Sequence, residues 1–220
     1  MKKIWVIILL VFLPTILFSQ WSFVGSASVG TSEVDNNYAK KFYKDSKGKM
    51  GLDFSFTARY SIWKFYLSSG VGFQTFKSQS GYPMISNEVD YGQLGPEFSY
   101  SNIYVPATIG FSYDRWKIYP IAEVGVNVLF TTELKDRLDI NDKTTSRLGG
   151  AKSTVIGYVM QAGVGYAFND IYSLETKFRF AGTGDVSTYK YPDGRNYKST
   201  WQYVGVQVSF VVKIPKAYFE

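Results

Sequence analysis

The sequence predicts an all-β protein: an eight-stranded antiparallel up-and-down transmembrane β-barrel with a polar, charge-filled lumen. Three observations carry that expectation. Beyond residue 20, apolar residues recur with the period of a strand rather than that of a helix. The connections between the periodic segments alternate between tight and long. The charges within those segments fall on the face opposite the apolar stripe.

The segments follow in order. Gln20 to Gly30 carries Trp21, Phe23, Ala27 and Val29 on its apolar face. Leu52 to Tyr60 alternates strictly, with Leu52, Phe54, Phe56, Ala58 and Tyr60 opposite Asp53, Ser55, Thr57 and Arg59. Lys64 to Phe76 uses Phe65, Leu67, Val71 and Phe73. Asn102 to Tyr113 has Ile103, Val105, Ala107, Ile109, Phe111 and Tyr113 on one side. Ile118 to Thr131 has Ile118, Ala122, Val124, Val126, Val128 and Phe130. In Thr154 to Ala167 the stripe is Ile156, Tyr158, Met160, Ala162, Val164 and Tyr166. Ile171 to Ala181 sets Tyr172, Leu174, Thr176, Phe178 and Phe180 against Ser173, Glu175, Lys177 and Arg179. Trp201 to Val212 closes the series with Val204, Val206, Val208, Phe210 and Val212. Each segment has the ~9–11 residues, or slightly more, that a tilted strand needs to cross a bilayer.

The connections near Ser61–Trp63, Asp114–Trp116 and Phe168–Asp170 are tight, whereas residues 31–49, 77–99, 132–153 and 182–200 form long polar ones. This asymmetry places both termini on the short-turn side and the four long loops on the other.

The strand charges decide which face is inside. Asp53, Arg59, Glu123, Glu175, Lys177 and Arg179 all oppose the apolar stripe. A Lys or Arg facing lipid near the midplane costs ~2–4 kcal/mol, whereas a charge in the lumen finds partners. A soluble lipocalin-like barrel would reverse the faces and put the apolar stripe inside. Its core would then also lack Gly70, Gly72, Gly110, Gly125, Gly163, Gly165 and Gly205 as filling, since these share the charged face, where they are expected to make room for long charged side chains. Trp21, Tyr60, Trp63, Phe65, Tyr113, Trp116 and Tyr172 gather at the tight-turn ends, as an interfacial girdle would.

Composition excludes several classes of chemistry. The 220 residues contain no cysteine and no histidine. Disulfides, thiolate catalysis, a lipid-anchored amino-terminal cysteine and His-based acid–base or zinc sites are therefore out. Mean hydropathy is −0.10, too low for a bundle of membrane helices. The net charge is +6, a mild excess that does not point to nucleic acid. No cofactor, metal or catalytic residue is expected, and the protein is not expected to be an enzyme.

The first 19 residues are expected to be a cleaved signal peptide. Lys2 and Lys3 form its basic region, Ile4 to Phe18 its apolar run, and Ser19 a small residue at the cut. Pro14 interrupts the run, which falls short of the ~20 residues of a membrane helix. The barrel is expected over residues 20–212, with 213–220 as a short periplasmic tail.

Ile103-Tyr104-Val105-Pro106, the Asp114-Arg115-Trp116 turn, Tyr119-Pro120 and Glu123-Val124-Gly125 resemble the outer-membrane β-barrel domain family, which includes porin-like and PorT-like proteins widespread in Bacteroidota. The stretches YAFNDIYSLETKFRFAG and WQYVGVQVSF are similar to that family's penultimate hairpin and closing strand. The resemblance implies a small barrel in the outer membrane of a Gram-negative cell. It transfers no catalytic residue. Tyr203, Gly205, Val208 and Phe210 approximate the terminal-strand signal read by the barrel-assembly machinery.

Two sets of residues are candidate sites. The six strand charges, three acids and three bases, are expected to form a self-neutralising lumenal network that plugs the barrel and sets register. The long loops are the expected functional surface: Lys40, Lys41 and Tyr43 in the first, and Tyr189, Tyr191, Arg195 and Tyr197 in the fourth. Tyrosine with basic residues suits glycans or the anionic head groups of lipopolysaccharide. Asp136, Asp139 and Asp142 of the third loop lack the spacing and closing Glu of a calcium loop. The expected function is a structural or interaction barrel that meets a surface ligand or envelope protein through its loops. A narrow porin-like channel for small solutes and an accessory subunit of a secretion or uptake complex are the alternatives.

Overall fold

The computed structural model describes residues 19–36, 45–81, 85–86, 89–90, 97–113, 115–140, 143–146, 152–190 and 196–214. Eight long strands among them close into one antiparallel barrel. They are β1 (Ser19–Asn36), β2 (Asp45–Ile62), β3 (Phe65–Gly81), β4 (Glu97–Ser112), β5 (Ile118–Ile140), β6 (Thr154–Ala167), β7 (Tyr172–Thr183) and β8 (Asn196–Lys213). Every strand pairs with its neighbours in sequence, and β1 pairs with β8 from Ser22↔Lys213 to Asn36↔Ser199. This seam leaves no free sheet edge in the wall.

Register sets the tilt. Partners traced once around the wall run Ser22, Arg59, Ser68, Thr108, Gly125, Val159, Ala181, Tyr203 and back to β1 at Ser32. The circuit therefore returns ten residues further along β1 than it began. That stagger goes with a strand tilt of roughly 40° and an interior just wide enough for side chains.

The alternation expected from the sequence is present in all eight strands, with the apolar stripe outward. β6 and β7 show it most plainly, exposed and buried positions taking turns along each. Phe178 is 74% exposed, while Glu175 is fully enclosed. Large apolar side chains cover the outside and charged and polar ones fill the inside. No water-soluble barrel is stable with that inversion, and the wall is therefore that of a transmembrane barrel. One substitution separates the two environments. Phe178→Lys is expected to cost about 2–4 kcal/mol when unfolding is measured in lipid vesicles, because it aims a cation at hydrocarbon. A water-facing position would tolerate it within about 0.5 kcal/mol.

The strands differ from the sequence expectation in length. β1, β2, β3, β5 and β8 run on through segments expected as loop, and β5 alone reaches 23 residues. Backbone pairing continues past the apolar belt because hairpin hydrogen bonds do not require an apolar face. The change is marked by the register shift between Gly48 and Leu52, where β2 leaves the belt. Further pairings, Lys143–Ser146 onto β5 and Ser187–Lys190 onto β8, extend the same end of the barrel.

Candidate functional site: the lumen

The side chains of the lumen stack in layers along the axis. Nearest the tight turns is a quartet of charges. Arg59 on β2 donates from both terminal nitrogens to Glu175 on β7, Nη1 to Oε1 at 2.7 Å and Nη2 to Oε2 at 3.0 Å. Lys177, two residues along β7, lies between two acids, with Nζ 3.3 Å from Glu175 Oε2 and 3.6 Å from Glu123 Oε2. All four groups are buried. The alternation of β7 puts Glu175 and Lys177 on one face, one strand pitch apart, and the tilt brings Arg59 and Glu123 to them across the barrel.

A second pair lies further along. Arg179 donates to Asp53 Oδ2 at 3.1 Å and to Gln207 Oε1 at 3.1 Å. Each layer is neutral by itself, two acids with two bases and then one with one. Neutrality within a layer matters because a buried charge without its partner is far costlier than a buried pair. The structure thus brings together all six charges picked out in the sequence, as two groups rather than one network.

Tyrosines complete the coordination. Tyr66 donates to Glu123 Oε2 at 3.1 Å, and Thr108 donates to Glu123 Oε1 at 2.5 Å. Tyr104 donates to Asp53 Oδ1 at 3.0 Å, and Tyr119 to Glu175 Oε1 at 3.3 Å. The Arg59 guanidinium also lies 4.1 Å above the centre of the Tyr66 ring. Such stacking is open to a planar guanidinium and not to an ammonium.

These tyrosines explain the glycines of the lumenal face. Tyr66 pairs across the sheet with Gly110, Tyr104 with Gly72 and Tyr119 with Gly165. A Cβ on Gly72 or Gly110 would overlap the ring of its tyrosine. Glycines do stand opposite the charges, Gly163 opposite Lys177, Gly205 opposite Arg179 and Gly110 opposite Glu123. Gly72, Gly110 and Gly165 also seat tyrosine rings laid flat against the wall, and the rings then reach the charges. The sequence shows Tyr and Gly on the polar face of neighbouring strands, but which Tyr meets which Gly depends on register.

At the long-connection end the polar lumen gives way to an aromatic cap, which the sequence reading missed. Phe76, Tyr100 and Trp201 stack on one another with ring centres 5.9–6.1 Å apart. Tyr203 tilts against Phe76 at 5.8 Å and shares a 2.6 Å hydrogen bond with Ser28. Leu129, Val155 and Val186 pack around them. Among the ion pairs remains a polar cavity of about 20 Å³, bordered by Arg59, Glu123, Lys177, Arg179, Gln161 and Gln207. A water molecule fits there; a file of solutes does not.

Of the loop candidates, Lys40, Lys41, Tyr43, Tyr191 and Arg195 lie outside the described residues. Tyr189 and Tyr197 are backbone partners in the hairpin that extends β8. No group of three or more Asp or Glu among the described residues is placed to hold a metal ion.

No protein-family model and no curated protein matches the sequence, so the resemblance to porin-like and PorT-like barrels rests on its motifs. Solved structures with a similar chain path include Neisserial surface protein A, at 13% identity, covering 87% of this chain and 97% of that one with a TM-score of 0.46. Another is the outer membrane protein OprG from Pseudomonas aeruginosa, at 14% identity, 89% and 95% coverage and a TM-score of 0.45. A third is Ail, the attachment invasion locus protein of Yersinia pestis, solved in complex with the heparin analogue sucrose octasulfate, at 15% identity, 87% and 99% coverage and a TM-score of 0.36.

Proposed function

We propose that this protein is a non-conducting outer-membrane barrel that holds a set of β-hairpins on the cell surface as an interaction platform. The filled lumen is the observation that carries the reading. Two neutral ionic layers and an aromatic cap lie in series across the barrel, and the cavity among the ionic side chains measures about 20 Å³. A pathway for solutes would need both obstructions to part. The strands support the second half of the proposal. β5 has 23 residues and β1 has 18, against the ~9–11 that span a bilayer. The surplus projects on the side of the long connections, opposite the start of β1 and the end of β8. Surface hairpins held by a rigid wall suit recognition, because the ordering cost of the binding surface is met at folding.

The outer membrane is the compartment this wall fits, with the barrel-assembly machinery as the partner during insertion and lipopolysaccharide around the projecting hairpins. The loop tyrosines and lysines remain the proposed contact residues, with a glycan or acidic envelope component as the partner chemistry.

Planar-bilayer recording of the purified, refolded protein tests the reading. The expected result is a conductance indistinguishable from the protein-free bilayer. Steady openings that shift their ion selectivity on substitution of Arg179 would instead establish a channel.

A further inference from the structure

The outer wall carries a depression that the barrel itself does not require. Ala58 on β2, Ser69 on β3 and Ala107 on β4 are direct cross-strand partners in one continuous row, Ala58↔Ser69↔Ala107. All three side chains are short where neighbouring outward positions hold Phe, Leu, Ile or Val. The row forms the floor of a trough of about 730 Å³, walled by Trp21, Ile109 and Val126. Trp21 is held there by Tyr60, their ring centres 4.9 Å apart. The trough opens toward hydrocarbon and lies in the half of the wall nearer the tight turns.

The rim below it is basic and aromatic. Phe65 pairs with Phe111 one outward position below Leu67 and Ile109, and the β2–β3 and β4–β5 turns follow directly. The Lys64 ammonium lies 4.6 Å from the centre of the Trp63 ring and 4.6 Å from that of Tyr113. Arg115 and Lys117 are exposed in the neighbouring turn, with Asp114 as the acid in the same stretch of sequence. Among the described residues the rim therefore holds three cations, Lys64, Arg115 and Lys117. Trp63 stands at φ 58°, a left-handed conformation that glycine or asparagine would adopt more readily. An indole there puts a ring beside Lys64 at the membrane surface, where neither of those residues would.

We propose that this trough and rim together hold one diacyl phospholipid with an anionic head group, drawn from the leaflet facing the tight turns. An acyl chain fills the trough over Ser69 and Ala107. The phosphate and the anionic head group meet Lys64, Arg115 and Lys117. From Ser69↔Ala107 to Phe65↔Phe111 is four residues, roughly 13 Å along a strand, which lies within a single leaflet of a ~30 Å hydrocarbon core. Charge complementarity selects the lipid, since each basic residue near the surface adds roughly 1 kcal/mol for an anionic head group. The inference rests on the transmembrane reading of the wall.

Native mass spectrometry of the full-length mature protein, in mixed micelles with equal phosphatidylglycerol and phosphatidylethanolamine, tests it. The expected result is one retained phospholipid, with phosphatidylglycerol favoured on the order of a hundredfold. Ala107→Trp should displace it by filling the trough, and Ser69→Leu provides the same test with a smaller change. The triple variant Lys64→Ser, Arg115→Ser, Lys117→Ser should keep a lipid but lose the preference. Equal retention of both lipids by the unaltered protein overturns the proposal, as does retention undiminished in both trough variants. A dimer in place of the lipid adduct would show a second copy seated in the trough and overturn it equally. Failure of the unaltered protein to insert into vesicles, seen as absent heat-modifiable migration, would instead reject the transmembrane reading itself.

Discussion

Glu175→Ala should lower the unfolding free energy by about 3–5 kcal/mol. Glu175 accepts both terminal nitrogens of Arg59, lies 3.3 Å from Lys177 and also receives the Tyr119 hydroxyl. Its removal leaves two cations enclosed with only Glu123 to share. Urea unfolding in lipid vesicles reads the effect as a lower midpoint at unchanged slope. The partner variant Arg59→Met should also destabilise. The double variant Glu175→Leu, Arg59→Met should recover much of the loss, because an enclosed ion pair replaced whole by apolar groups is often close to neutral. A coupling energy near zero in that cycle would mean that the two residues act separately. Arg59→Lys should fall between, since an ammonium supports neither the two-point contact nor the stacking on Tyr66.

Trp201→Ala is expected to cost about 3–5 kcal/mol, the range for an aromatic truncated within a packed cluster. Trp201 is only 1% exposed and stacks on both Phe76 and Tyr100. The informative readout is electrical rather than thermodynamic. Removing the indole opens the cap, yet the ion pairs of Arg179 with Asp53 and of Arg59 with Glu175 still cross the lumen below it. Conductance should therefore stay at the protein-free level in Trp201→Ala and also when Arg179→Ala is added, because the quartet of Arg59, Glu175, Lys177 and Glu123 still crosses the lumen. Conductance in Trp201→Ala alone would make the aromatic cap the sole seal and would strip the ionic layers of any part in closing the barrel.

The division between what was legible beforehand and what was not follows from the range of each interaction. Period-two alternation is local, and it assigned the outward face of all eight strands, from Trp21 and Phe23 in β1 to Phe210 in β8. The charges Asp53, Arg59, Glu123, Glu175, Lys177 and Arg179 were legible for the same reason, since parity along a strand is enough to put a residue inside. Strand ends were less legible. Beyond the belt no apolar stripe marks the strand, and β5 continues to Ile140 on backbone pairing alone. Phe76 and Trp201 were overlooked because each stands near a strand end, where an aromatic on the inner face reads as an exception to the pattern.

The sequence by itself determined that the chain is a barrel, how many staves it has, which face meets lipid and that the lumen holds equal numbers of acids and bases. Each of these depends on parity and composition along one strand at a time. Only the tertiary structure decided that Arg59 meets Glu175 and Arg179 meets Asp53, that Tyr66, Tyr104 and Tyr119 lie over glycines, and that an aromatic cap closes one end. Those pairings join residues up to 126 positions apart. They are set by a ten-residue stagger around the barrel, and a shift of that stagger by two would keep every face and change every partner.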